Sequence, residues 1–243
     1  MYFSDIHTHV LHATDDGAKK REDMYEMIDA AYKSGTRLIC ATPHFAPDFF
    51  GDNREASEHS FKVLKEYRDS KYPDLEIVFG NELYYRHDCI SWLKGGLCRT
   101  MGETNYLLVE FEIHDSEDQI AEGIYRLQNL GYTPILAHAE RYQNLSIGRV
   151  WSFRENGVLI QINCESIVST MSFGQRKRLK ALLEKGYVDF VSSDAHNLKN
   201  RSPDMSKSYE IFVKKYGQRR ADDLFRKNAL RIFGSKNSEE ETE

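Results

Sequence analysis

The sequence predicts an α/β domain built on a parallel sheet, and three observations carry that prediction. Short apolar runs rich in β-branched and aromatic residues alternate with stretches of helical period. The alternation continues almost from end to end of 243 residues without a linker or an internal repeat, so one domain accounts for the chain. Most of the apolar runs also stop at a histidine or a carboxylate, as strands do when they deliver side chains to one rim of a parallel sheet.

The first run, residues 2–6, leads into Asp5-Ile6-His7-Thr8-His9. Side chains alternate along a strand, so His7 and His9 point the same way and can hold one metal ion. Beyond a loop with Asp15-Asp16-Gly17, residues 21–33 carry Met24, Met27, Ile28 and Ala31 at helical spacing, closed by Gly35. A second strand over 37–41 ends at Thr42-Pro43-His44, and a loop with Phe45, Phe49 and Phe50 leads to an amphipathic helix over 55–68. The third strand, 76–79, runs into Gly80-Asn81-Glu82, and the fourth, 105–109, ends at Glu110. A helix over 118–130 stops at Gly131, and a fifth strand over 133–137 ends at His138. Strands over 158–162 and 187–191 follow, the last leading to Ser193-Asp194-Ala195-His196, with helices over 175–185 and 209–215. Residues 235–243, rich in Ser and Glu, read as a disordered acidic tail. Seven strands alternating with helices make a parallel sheet that is either closed as a barrel or open and doubly wound.

Composition excludes several classes. The formal charge is −5 with Lys and Arg scattered, so neither nucleic acid nor an anionic membrane is called for as a partner. Asp5 interrupts the start before a leader could form, and no apolar stretch approaches the ~20 residues of a membrane span. Cys40, Cys89, Cys98 and Cys164 show no paired spacing, which fits reduced, buried thiols in a cytoplasmic protein.

The candidate ligands are His7, His9, Asp16, His44, Glu82, Glu110, His138, Asp194 and His196. Singly, a residue such as Glu82 or Glu110 is more often a hydrogen-bonded strand end; so many on one rim point to a multinuclear metal site. Imidazoles and carboxylates without thiolate suit Mn²⁺, Fe²⁺ or Zn²⁺, with the hard oxygens favouring manganese. His12, His59, His87 and His114 fall in loops or on a helix and read as surface residues or as supports behind the ligands; Glu165 reads as a solvent-facing loop carboxylate, with a supporting role behind the ligands as the alternative. Arg141 follows His138 by three residues and Arg201 follows His196 by five; guanidinium groups beside metals suggest a bound phosphate, with a surface salt bridge as the equal alternative. Other phosphate chemistries lack their parts: there is no P-loop, no cysteine followed six residues on by arginine, and no Gly-x-Ser-x-Gly elbow.

With these motifs the chain resembles the PHP (polymerase and histidinol phosphatase) family of metal phosphoesterases, nearest to its bacterial capsule and exopolysaccharide tyrosine phosphatases. The likeness is carried by Asp5-Ile6-His7-Thr8-His9, Asp15-Asp16-Gly17-Ala18, Thr42-Pro43-His44, Gly80-Asn81-Glu82, Leu108-Val109-Glu110-Phe111, Ala137-His138-Ala139-Glu140-Arg141-Tyr142 and Ser193-Asp194-Ala195-His196-Asn197-Leu198. It implies a distorted (β/α)7 TIM-like barrel over 1–234 holding three divalent ions: one on His7, His9, Glu82 and Asp194, one on Glu82, Glu110 and His138, one on Asp16, His44 and His196. Arg141 and Arg201 match the family's phosphate-binding arginines. A hydroxide bridging two ions would attack phosphorus. The implied substrate is the phosphotyrosine tail of a bacterial tyrosine autokinase, placing the protein in control of capsule or exopolysaccharide synthesis; the alternative is a small-molecule phosphatase of histidinol-phosphate type. The variable 45–57 loop is expected to contact the substrate; Tyr84, Tyr85 and residues 45–50 are candidates to stack on a phenol ring, with core packing as the alternative, and the oligomeric state stays open.

Overall fold

The computed structural model describes residues 2–102, 104–169 and 172–234. The expected tail at 235–243 lies outside the described residues.

The strands are β1 (Phe3–Thr8), β2 (Thr36–Ala41), β3 (His44–Phe45), β4 (Glu76–Phe79), β5 (Glu82–Tyr84), β6 (Tyr106–Glu110), β7 (Thr133–Leu136), β8 (Leu159–Asn163) and β9 (Phe190–Ser192). All pair in parallel, in the orders β1-β2-β4 and β3-β5-β6-β7-β8-β9. The two sheets are one circuit. β3 continues β2 after Thr42-Pro43, and β5 continues β4 after Gly80-Asn81. Across that break the ladder persists, with the Gly80 amide donating to the Ala41 carbonyl and the Glu82 amide to that of Pro43. Proline supplies no amide of its own at this point. The Asn81 amide turns outward to the Arg99 carbonyl, which is the kink. The ring closes where Thr8 bridges Ala195 in parallel, with the Asp194 amide donating to His7 and the His9 amide to Ala195. Of the two arrangements open from sequence, the closed one is present, a seven-stave barrel with two staves broken near the top.

Alternation along the staves separates an inner from an outer layer. Leu38, Cys40, Leu108, Ile135, Ala137 and Phe190 share one buried cluster with Ile6, and Ala229 and Phe233 of the last helix join it. Their neighbours Ile39, Ala41, Leu107, Val109, Leu136 and Ile160 pack outward against helices. Those are α1 (Arg21–Lys33), α2 (Pro47–Phe50), α3 (Arg54–Lys71), α4 (Cys89–Lys94), α5 (Glu117–Asn129), α6 (Ile147–Glu155), α7 (Glu165–Val168), α8 (Phe173–Glu184), α9 (Ser206–Tyr216), α10 (Gln218–Asp222) and α11 (Asn228–Phe233). α1 buries the four apolar residues its spacing selects, against Ile39, Ala41 and the α3 residues Val63 and Leu64. α5 begins at Ser116, whose hydroxyl accepts from the Gln119 amide while Gln119 reaches back, a reciprocal cap. With the inner layer filled by apolar side chains, polar residues are left to the carboxyl ends of the staves.

Candidate metal centre

All nine candidate ligands gather at that end. His7 Nε2 and His9 Nε2 face each other at 3.2 Å, and Asp194 Oδ1 lies 3.4 and 3.5 Å from them. Ligands evenly placed at roughly 2.0–2.2 Å around one ion stand about 3.3–3.6 Å apart, so the three atoms fit a common cation. Glu82 Oε2 approaches both imidazoles at 3.1 Å. Its other oxygen, Oε1, lies 3.2 Å from His138 Nε2, which is also 3.2 Å from Glu110 Oε1. The two oxygens of Glu82 thus face two separate ligand groups.

A further group comprises Asp16, His44, His196 and His9. Asp16 Oδ1 is 3.2 Å from His196 Nε2 and 3.6 Å from His44 Nε2. His44 faces both ways, its Nδ1 lying 3.1 Å from Glu82 Oε2 and 3.8 Å from Glu110 Oε2. His44 Nδ1 and His196 Nε2 are buried without a hydrogen-bond partner. Buried polar atoms this close to carboxylates and yet unbonded are what a shared cation would satisfy. The residues present fit a cluster of hard or borderline divalent ions.

Local structure explains how each side chain arrives. β1 slips register against β2 twice, between Phe3 and Ser4 and between Asp5 and Thr8. His138 and Asp194 occupy the left-handed region at φ 32° and 54°, two of the three non-glycine residues with positive φ among the described residues. Neither is held there by glycine's freedom, so surrounding contacts must offset the strain. The His138 amide donates to Gln161 Oε1, and the Asp194 amide to the His7 carbonyl. Gly17 permits a close approach: a Cβ there would stand 2.1 Å from the His9 carbonyl oxygen. The Asn197 side chain caps the amides of Lys199 and Asn200, turning the chain so that Arg201 returns over Asp194.

Sequence reasoning missed the groups behind the ligands. Asp15 Oδ2 accepts from His9 Nδ1 at 2.8 Å and from the His44 amide at 2.8 Å, while Oδ1 accepts from the Gly17 amide. Gln161 Oε1 lies 3.3 Å from His7 Nδ1, and Asn163 Nδ2 donates to Asp194 Oδ2 at 2.6 Å. Such partners fix ring orientation and leave the opposite nitrogen to face the ion. Asp15 had a signal, its place beside Asp16 ahead of Gly17; Gln161 and Asn163 sit inside an ordinary strand pattern and had none.

Electrostatics follow from the crowding. Burial opposes charge on His9, but Asp15 and Glu82 outweigh it and lift the ring to about 10. Burial and Arg141 likewise oppose charge on His138, which Glu110 and Glu82 raise to about 9. Against its burial, Asp194 is held far below the usual carboxylate range by His7, Arg201 and Arg141. Arg141 Nη2 reaches Asp194 Oδ2 at 3.0 Å, and Arg201 Nη2 reaches Oδ1 at 2.5 Å. Both guanidinium groups remain about a third exposed, open to an anion at the mouth.

The remaining candidates divide. His59, His87 and His114 are exposed, as is Glu165, and His12 bonds Ser60. All four cysteines are buried and free; burial pushes the Cys89 thiol up to about 11, which leaves no thiolate nucleophile there. The aromatic expectation needs correction at two places. Phe45 is buried against Trp92, and Tyr85 packs on Phe111, both with core work to do. Phe49, Phe50 and Tyr84 stay at the rim, where Phe50 stacks on His44 at 5.5 Å.

Residues 3–234 match a family model described as capsular polysaccharide synthesis, CpsB/CapC. The chain is 35% identical over 236 residues to the tyrosine-protein phosphatase CpsB of Streptococcus pneumoniae, covering 94% of this chain and 97% of that one. It is 31% identical to the tyrosine-protein phosphatase YwqE of Bacillus subtilis, covering 88% and 85%. A solved chain from the structures of YwqE of Bacillus subtilis and CpsB of Streptococcus pneumoniae, described as unique metal-dependent tyrosine phosphatases, superposes with a TM-score of 0.83 at 27% identity, covering 96% and 95%. The phosphotriesterase homology protein of Escherichia coli shares the fold, with a TM-score of 0.62 at 12% identity, covering 96% and 98%.

Proposed function

The chain belongs to the capsular polysaccharide synthesis CpsB/CapC family, and on that premise we propose that its ligand cluster hydrolyses phosphotyrosine. The protein is a metal-dependent protein-tyrosine phosphatase of capsule synthesis, with residues 1–234 as its catalytic domain. The observation that carries the reading is Glu82, whose two oxygens serve two ligand groups beside a pair of arginines.

Three ions, manganese by the hardness of the donors, would be held by His7, His9, Glu82 and Asp194; by Glu82, Glu110 and His138; and by Asp16, His44 and His196. When bound, such ions acidify water at neutral pH and neutralise charge on phosphoryl oxygens. Arg141 and Arg201, which converge on Asp194, are placed to bind the phosphoryl oxygens by charge-assisted hydrogen bonds and so orient the substrate. Asp15 and Gln161 keep the His9 and His7 rings oriented throughout. A tyrosyl oxygen leaves with a pKa near ~10, so it needs less protonation than an alkoxide, and no side chain is assigned as general acid.

The physiological substrate in this reading is the tyrosine-rich tail of a bacterial tyrosine autokinase, met in the cytoplasm. A flexible tail suits ligands that lie at an open mouth, where Asp16 is half exposed. No helix among the described residues is long and apolar enough to cross a membrane. The test is kcat/KM of metal-loaded protein on a phosphotyrosyl peptide against histidinol phosphate. Strong preference for the peptide, abolished by chelation, is expected; preference for histidinol phosphate would overturn the substrate assignment.

A further inference from the structure

α2 buries none of its residues, yet it carries two consecutive phenylalanines. Phe49 is 59% exposed and Phe50 36%. Neither ring is part of the barrel's buried clusters. Their placement is nonetheless definite. The Phe50 ring lies parallel to His44 at 10°, covering one face of a candidate ligand. Phe49 meets Tyr84 edge to face at 5.3 Å, and the Arg86 guanidinium lies 5.5 and 5.3 Å from those two ring centroids. Tyr84 is anchored in turn, its hydroxyl donating to Glu112 Oε2 at 2.5 Å. A cation over two ring faces and a bonded hydroxyl hold this wall in place without burying it.

We infer that Phe50, with Phe49 and Tyr84 behind it, is the specificity wall that receives the phenol ring of the substrate and so selects aryl over alkyl phosphates. The inference rests on the phosphatase reading and deepens it. The geometry suits the task because a phosphoryl group held by Arg141 and Arg201 directs its ester substituent away from the cluster. His44 forms one margin of that cluster, and Phe50 lies stacked on it in a parallel, offset plane. An offset aromatic contact there favours a ring-bearing ligand by about 3- to 10-fold over one without a ring.

The test avoids leaving-group chemistry by comparing competitive inhibition by phenylphosphonate and methylphosphonate, which share an anchor and differ in the ring. Hydrolysis of p-nitrophenyl phosphate by the metal-loaded protein reports the inhibition. Phenylphosphonate is expected to bind the wild type more tightly. In Phe50→Ala that advantage should shrink about 3- to 10-fold through a weaker phenylphosphonate constant, with metal content retained, and Phe50→Tyr should restore it. Equal inhibition of the wild type by both phosphonates, an unchanged ratio in Phe50→Ala, or parallel loss of both constants would overturn the assignment. Parallel loss would mean that Phe50 acts only through His44. A wild type that hydrolyses no aryl phosphate would remove the phosphatase reading itself, whereas active protein blind to the ring would remove this wall alone.

Discussion

Asp15 holds His9 by a 2.8 Å hydrogen bond at Nδ1, and with its other oxygen it binds the amide of Gly17. That bond leaves Nε2 as the ring nitrogen facing His7 and Glu82. Asp15→Asn keeps the shape but loses the charge that orients the imidazole. We expect metal affinity to fall about 10- to 100-fold, with the far-ultraviolet spectrum unchanged. Titration of the metal-free variant with Mn²⁺ measures it; wild-type affinity would leave Asp15 without this role.

Arg141 and Arg201 both reach Asp194 from the mouth of the barrel. Arg141→Ala should raise KM and the inhibition constant of inorganic phosphate about 10- to 100-fold, the worth of a charge-assisted hydrogen bond of ~1.5–3 kcal/mol. Arg141→Lys should recover little, because a point charge does not reproduce the planar fork. Unchanged phosphate inhibition in Arg141→Ala would take the residue out of the binding site.

Arg178 governs the loop that carries Arg141. Buried on α8, it donates through Nε to the Ala139 carbonyl at 2.9 Å and through Nη1 to that of Leu145, clasping the loop on both sides. Burial pulls its pKa down to about 10. Arg178→Met should cost about 2–4 kcal/mol of stability and raise KM by displacing the arginine it supports. Urea denaturation and kinetics on folded protein separate the two effects; stability lost with KM intact would confine Arg178 to the scaffold.

Metal uptake should release protons. In the ion-free chain the neighbouring carboxylates, outweighing burial, hold His9 at about 10 and His138 at about 9, so both rings are charged near neutral pH. A coordinating imidazole must be neutral, so an entering cation displaces those protons. Values raised above the ordinary 6.5 mean that the charged rings stabilise the ion-free fold fully below pH 6.5, and that this contribution fades as pH rises through 9 to 10. Calorimetric titration in buffers of different ionisation enthalpy should show proton release at pH 7 that diminishes toward pH 10. Uptake without release at pH 7 would contradict the charge state.

Much of the fold was legible because helix and strand periods coincide with burial here. The 21–33 helix matches Arg21–Lys33, and the 37–41 strand is one residue short of Thr36–Ala41. What escaped was short or claimed by a neighbour. β3 and β5 span two and three residues beyond Pro43 and Asn81, too few to show alternation, so the broken staves were invisible. The last strand begins at Phe190 rather than 187, because Gly186 and Tyr187 donate their amides to Leu183 and Leu182 and close α8. α6 and the 218–233 helices, interrupted by a wide turn at Asp223–Lys227, have apolar spacing too irregular to read. In the site, which side chains gather at the mouth was readable from residue type at strand ends. The sharing of His9 and His44 between groups was not, because it depends on which ring nitrogen faces which carboxylate.

Anomalous diffraction from crystals of the Mn²⁺-loaded protein tests the central claim most directly. The account predicts one peak within coordination distance of His7 Nε2, His9 Nε2 and Asp194 Oδ1, a second approached by Glu82 Oε1, Glu110 and His138, and a third among Asp16, His44 and His196. Crystals of protein active on a phosphotyrosyl peptide, with no ion among those atoms, would contradict it.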